Sequence, residues 1–135
     1  MDNNTCVFCK IVAGEIPSYK IYEDEKFLAF LDIFPATEGY TLVIPKDHFR
    51  WVWDVTNIGE YFEVCKKVAK HLGEVAGTPV YSMTLGEEVP HAHVRLFPAN
   101  QNIKDALVKF VADTKTPAPL DNESLQKIQE KYKII

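Results

Sequence analysis

Apolar positions along the chain recur with two different periods. Residues 6–13 read as a short helix that Gly14 stops, because glycine takes the left-handed conformation of a helix C-terminus. Tyr19-Lys20-Ile21-Tyr22 alternates as a strand does, and Glu23-Asp24-Glu25-Lys26 is a polar turn. Phe27-Leu28-Ala29-Phe30-Leu31 is an unbroken apolar run, the mark of a strand buried on both faces. Residues 34–39 read as a loop, and Thr41-Leu42-Val43-Ile44 is a third strand closed by Pro45. The short connections make these strands antiparallel neighbours.

The period then lengthens. Ile58, Tyr61, Phe62, Cys65, Val68, Leu72 and Val75 share one helical face. Asn57 with Glu60 resembles a capping box at its start, and Gly77 and Pro79 finish it. Residues 80–85 and 91–97 are the fourth and fifth strand candidates, the fifth bracketed by Pro90 and Pro98. In the tail, Ile103, Leu107, Phe110 and Val111 fall together, residues 114–119 read as a linker, and Leu125, Ile128 and Tyr132 line a last helix from Asp121. The predicted class is α+β: a five-stranded antiparallel sheet, one long helix across it, a short N-terminal helix and C-terminal helices. One domain over residues 1–135 is expected, with its core in 6–98 and a helical extension in 99–135.

Composition narrows the function. With 47% hydrophobic and 25% charged residues, the 135-residue chain has ordinary globular chemistry and enough length for a core. A net charge of −4 gives no basic footprint for a nucleic-acid polymer, while a small nucleotide needs only a local anion site. No apolar run reaches membrane-spanning length, and the acidic, polar start is unlike a signal peptide. A cytoplasmic protein is therefore expected, in which the three cysteines are thiols or metal ligands rather than disulfides.

The candidate chemistry lies in His91-Ala92-His93-Val94-Arg95-Leu96. On a strand, His91, His93 and Arg95 would share one face and Ala92, Val94 and Leu96 the other. Neutral imidazole is nucleophilic near pH 7, and arginine supplies fixed positive charge for a phosphate. The plainer alternative is a surface strand with a polar outer face. Cys6-x-x-Cys9 alone is equally open: a redox dithiol, half of a metal site, or two inert buried thiols. Cys65 lies on the apolar face of the long helix, where burial is expected; His71 on that helix reads as solvated.

The segment Val89-Pro90-His91-Ala92-His93-Val94-Arg95-Leu96-Phe97-Pro98 resembles the His-x-His-x-His motif of the histidine triad (HIT) superfamily. Three further stretches are similar to its bacterial-type Hint branch: Cys6-Val7-Phe8-Cys9 with Gly14-Glu15-Ile16-Pro17, Leu28-Ala29-Phe30-Leu31-Asp32-Ile33, and Gly39-Tyr40-Thr41-Leu42-Val43-Ile44-Pro45-Lys46-Asp47-His48. The resemblance implies a nucleotide hydrolase or phosphoramidase, acting on a purine nucleoside monophosphate joined to an amine or a second phosphate. His93 would be the nucleophile, forming a nucleotidyl-histidine, with the His91 carbonyl orienting its ring. Ile16, Phe30, Ile33 and Leu42 would wall the nucleoside pocket, and Asp32 would bind ribose hydroxyls. Taken singly, Phe30, Ile33 and Leu42 each read more readily as plain core residues. The resemblance further implies a structural zinc on Cys6, Cys9, His48 and His91, and a homodimer.

Two departures bear on activity. Arg95 stands where the motif has its third histidine; it keeps positive charge but stays protonated and so cannot shuttle a proton. The loop at residues 85–89 looks short, and Glu87 offers acceptors where relatives offer Asn and Gln donors. A nucleotide-binding or scaffold module without turnover is therefore the alternative expectation.

Overall fold

The computed structural model describes residues 5–99 and 119–134. In chain order it contains α1 (Val7–Val12), β1 (Lys20–Glu23), β2 (Phe27–Leu31), β3 (Thr41–Pro45), a 3-10 turn (Val52–Asp54), α2 (Ile58–Ala76), β4 (Val80–Met83), β5 (Val94–Pro98) and α3 (Asn122–Tyr132). The strands form one sheet, ordered β1-β2-β3-β5-β4, with every neighbouring pair antiparallel. This is the α+β arrangement that the apolar periods predict. The expected helix over Ile103 to Val111 and most of the linker after it lie outside the described residues. Among the described residues, no helix is long and apolar enough to cross a membrane.

The sheet is buried on both faces, and β2 shows why its run has no polar break. Phe27, Ala29 and Leu31 join Val43, Val94 and Leu96 in one cluster under α2, with Tyr61, Cys65, Val68 and Leu72 above them. Leu28 and Phe30 face the other way, with Tyr40, Leu42, Ile44 and Phe97, against Phe8 and Ile11 of α1. Tyr61 anchors the long helix twice: its ring stacks on Phe27 at 5.5 Å, and its hydroxyl donates to the Val43 carbonyl at 2.6 Å. Gly77 ends α2 at φ +71°, donating its N–H to the Gly73 carbonyl.

Three local expectations need correction. Asn57 has ψ 52°, not the extended conformation of a side-chain cap. Its amide lies 3.5 Å from Glu60, whose carboxylate is held by Lys26 at 2.9 Å. His71 is half-buried rather than solvated, and its Nε2 is enclosed without a hydrogen-bond partner. Phe62 is 38% exposed, and Val64 takes its place on the buried face.

α3 returns to the sheet along β1. The Ile134 N–H donates to the Ile21 carbonyl at 2.9 Å, and the Gln129 amide donates to the Lys20 carbonyl at 3.0 Å. Lys131 and the Tyr132 hydroxyl both reach Glu38, at 2.7 and 3.0 Å. Gly39 makes this possible: its φ is +87°, and a Cβ there would stand 3.0 Å from the Tyr132 ring and 3.2 Å from Pro98. Gly39→Ala is expected to lower stability by about 2–4 kcal/mol, from left-handed strain plus overpacking. Urea unfolding should show a lower midpoint at unchanged slope.

Candidate functional site

The fifth strand starts later than the alternation predicts. The residues of the histidine motif approach it as a bend, and regular pairing begins at Val94, opposite Val43. Continuing that register would set Ala92 against Pro45, which has no N–H to give a ladder. The chain leaves the ladder there instead. Ala92 donates to the Phe49 carbonyl at 2.7 Å, and the His91 ring takes the Pro45 carbonyl at 2.8 Å.

Despite the shorter strand, His91, His93 and Arg95 do converge. They are 0%, 1% and 6% exposed, which rules out a solvent-facing polar strand. The Phe8 ring meets both imidazoles edge-on, at 5.8 Å from His91 and 5.3 Å from His93. Phe8 was not among the predicted site residues, although its place between the two cysteines of one helical turn would have pointed there.

Each imidazole has its proton fixed by its neighbours. His93 Nδ1 lies 2.8 Å from the His91 carbonyl, which only accepts, so Nδ1 carries the hydrogen. Its Nε2 lies 3.4 Å from the Arg95 guanidinium, which only donates, so Nε2 presents a lone pair. Burial lowers the His93 pKa; the hydrogen bond to His91 opposes that, and the Arg95 charge adds to it. The ring is therefore neutral at neutral pH, with its unprotonated nitrogen accepting from a fixed cation.

Arg95 sits on one rung with the predicted pocket residues. Leu42 pairs with Phe30 on one side and Arg95 on the other, and Met83 flanks Arg95 from β4. Phe30 and Leu42 are buried in the α1-side cluster, with Ile16 packed on it half-buried. Ile33 is 40% exposed, at a loop rim rather than in the core, and its carbonyl accepts from the Leu120 N–H at 2.9 Å. Asp32 follows β2; one oxygen accepts from the Phe34 N–H at 2.9 Å and the other lies 3.7 Å from Arg95. Burial raises the Asp32 pKa against the pull of that N–H and of Arg95. Glu87 is exposed.

On the other side of His91 is a cluster of sulfur and nitrogen atoms. Ligand atoms of Cys6, Cys9, His48 and His91 all lie within 4.8 Å of one another, so the four residues can hold a metal ion. Cys6 starts α1, and its Sγ accepts from the Cys9 N–H at 3.3 Å, so the helical turn brings both thiols to one side. His91 Nδ1 stands 3.2 Å from Cys6 Sγ and 3.5 Å from Cys9 Sγ, and His48 Nδ1 stands 3.2 Å from Cys9 Sγ. His91 donates Nε2–H to Pro45, leaving Nδ1 free to ligate, the outer-shell arrangement usual for a metal-bound histidine. Burial pushes the Cys9 thiol up to about 12 and lowers His91 to about 4. Cys65, under α2, is buried as expected.

Comparison with known proteins agrees with this geometry. The HIT domain matches residues 13–102. Protein hit of Bacillus subtilis is 40% identical over 130 residues, 88% of this chain and 89% of that one. Adenosine 5'-monophosphoramidase of Saccharomyces cerevisiae is 34% identical over 113 residues, 79% of this chain and 70% of that one. A crystal structure of a Zn-bound histidine triad family protein from Mycobacterium smegmatis superposes with a TM-score of 0.70 at 28% identity, covering 97% of this chain and 95% of that one. Matched in domain, in sequence over most of its length and in fold, the chain belongs to the histidine triad (HIT) family.

Proposed function

We propose that the protein is a nucleotide hydrolase that releases a nucleoside monophosphate from an amine or phosphate leaving group through a nucleotidyl-histidine on His93. The observation that carries this is the bonding of the His93 ring: Nδ1–H donates to the His91 carbonyl, and unprotonated Nε2 has only a long contact, 3.4 Å, from the donating Arg95. The Nε2 lone pair forms a bond to the α-phosphorus, and the bond from phosphorus to the leaving atom breaks, its electron pair departing with that group. A departing amine takes its proton from solvent, because the Arg95 guanidinium stays protonated and cannot act as a general acid. Water then attacks phosphorus and gives up a proton to solvent, the bond to Nε2 breaks, and its electron pair returns to the ring. Arg95 supplies fixed charge to the phosphate oxygens. Phe30, Leu42, Ile16 and Ile33 enclose the nucleoside, and Asp32 accepts from ribose hydroxyls.

The metal is zinc in this reading, for two thiols and two imidazoles are the donor set of a closed structural zinc site. Four protein ligands leave no position for substrate, so the ion fastens the start of α1 to the segment bearing His93. A cytoplasmic homodimer completes the proposal: Cys6, Cys9 and Cys65 are free thiols, and β4 is an edge strand with Tyr81 44% exposed.

A second reading, nucleotide binding without turnover, draws on Arg95, which lies toward Asp32 and cannot shuttle a proton. Adenosine 5'-phosphoramidate separates the two. Ammonia release with an adenylylated protein seen by intact mass is the outcome expected of the hydrolase; saturable binding without release would assign the module.

A further inference from the structure

Tyr40 bears a polar group that the roles of His93, Arg95 and Asp32 leave unexplained. The residue is 2% exposed, and its enclosed hydroxyl lies beside the Arg95 guanidinium, which can only donate to it, so among the described residues its own proton has no acceptor. Buried hydroxyls in that condition are a net cost to a fold and therefore uncommon. The ring cannot swing to find an acceptor, because it lies flat on Phe97, with centroids 5.0 Å apart and planes at 6°. Tyr40 precedes β3 on the face of Leu42 and Ile44, and its carbonyl accepts from the Asp32 N–H at 3.0 Å. Phenol, Asp32 and the Arg95 rung therefore belong to one side of the sheet.

The surrounding charges define what the hydroxyl lacks. Burial raises the Tyr40 pKa, with Arg95 opposing, so the phenol keeps its proton at neutral pH. Guanidinium only donates and cannot accept that proton. The Asp32 oxygens are directed to the Phe34 N–H and to Arg95. A phosphate oxygen, which only accepts, would complement phenol and guanidinium together.

We propose that Tyr40 is a further ligand-binding residue, its hydroxyl donating to a non-bridging phosphate oxygen of the bound nucleotide beside Arg95. This rests on the nucleotide reading above. Titration calorimetry of wild type and Tyr40→Phe with AMP and with adenosine tests it. AMP should bind the variant roughly ten- to a hundredfold more weakly, as for a lost hydrogen bond to a charged group. Adenosine affinity should hold within about twofold. The variant's Tm should be unchanged or higher, since phenylalanine keeps the stack on Phe97 and removes an unpaired donor. Equal AMP affinity, an equal loss for adenosine, or a lowered Tm overturns the assignment. A wild type that does not bind AMP overturns the nucleotide reading and this inference with it, whereas a binding wild type with an indistinguishable variant removes only Tyr40.

Discussion

His93→Ala is expected to reduce phosphoramidate turnover by at least about a thousandfold, the scale on which covalent nucleophiles fail when removed. AMP affinity should change far less, within about tenfold, because Arg95, Asp32 and the apolar walls remain. This split separates a reacting group from a binding one. His93 is suited to the first role by its surroundings: a ring 1% exposed, protonated at Nδ1 by force of the His91 carbonyl, with Nε2 given no acceptor to satisfy. Single-turnover kinetics with intact mass should show no adduct in the variant. Turnover within tenfold of wild type would remove His93 from the mechanism.

Removing the metal should have the largest effect on stability. Chelation, or Cys6→Ser, is expected to lower the Tm by ~10 °C or more, since structural zinc sites add binding free energy directly to folding. The donors explain the size. Cys6 and His91 are both 0% exposed, and Cys9 and His48 are only partly open to solvent. Burial holds the Cys9 thiol up at about 12 and the His91 imidazole down at about 4, so both are neutral at neutral pH. A divalent cation displaces thiol protons, so loading should also release acid, measurable in weakly buffered solution. Metal analysis beside scanning calorimetry checks both. A purified protein without stoichiometric zinc, with a Tm unmoved by chelator, would discard the assignment.

Much of this was legible in the sequence because burial imposes a period. The run Phe27 to Leu31 has no polar member because both faces of β2 are covered, and the spacing of Tyr61, Cys65, Val68 and Leu72 is that of one helix face. The cluster of Cys6, Cys9, His48 and His91 was legible through resemblance more than spacing, since His48 and His91 reach the cysteines only after the sheet has formed. What escaped was decided by tertiary partners. The strand reading of His91 to His93 failed because Pro45 breaks the ladder opposite. Asn57 was misread as a cap because Glu60 answers to Lys26 across 34 positions of chain. Tyr40 could have been found by carrying the alternation of Leu42 and Ile44 back one step, but nothing in a sequence says that a hydroxyl will lack an acceptor.

His91 has two separate attachments on a single residue. Its side chain belongs to the thiol cluster, and its carbonyl grips the ring of His93. Loosening the first must therefore loosen the second, and a displacement of about 1 Å at a reacting atom can cost a hundredfold in rate. If the proposed hydrolysis holds, an ion that never touches substrate would govern the marksmanship of His93, and demetallated protein that still looked folded would fire wide.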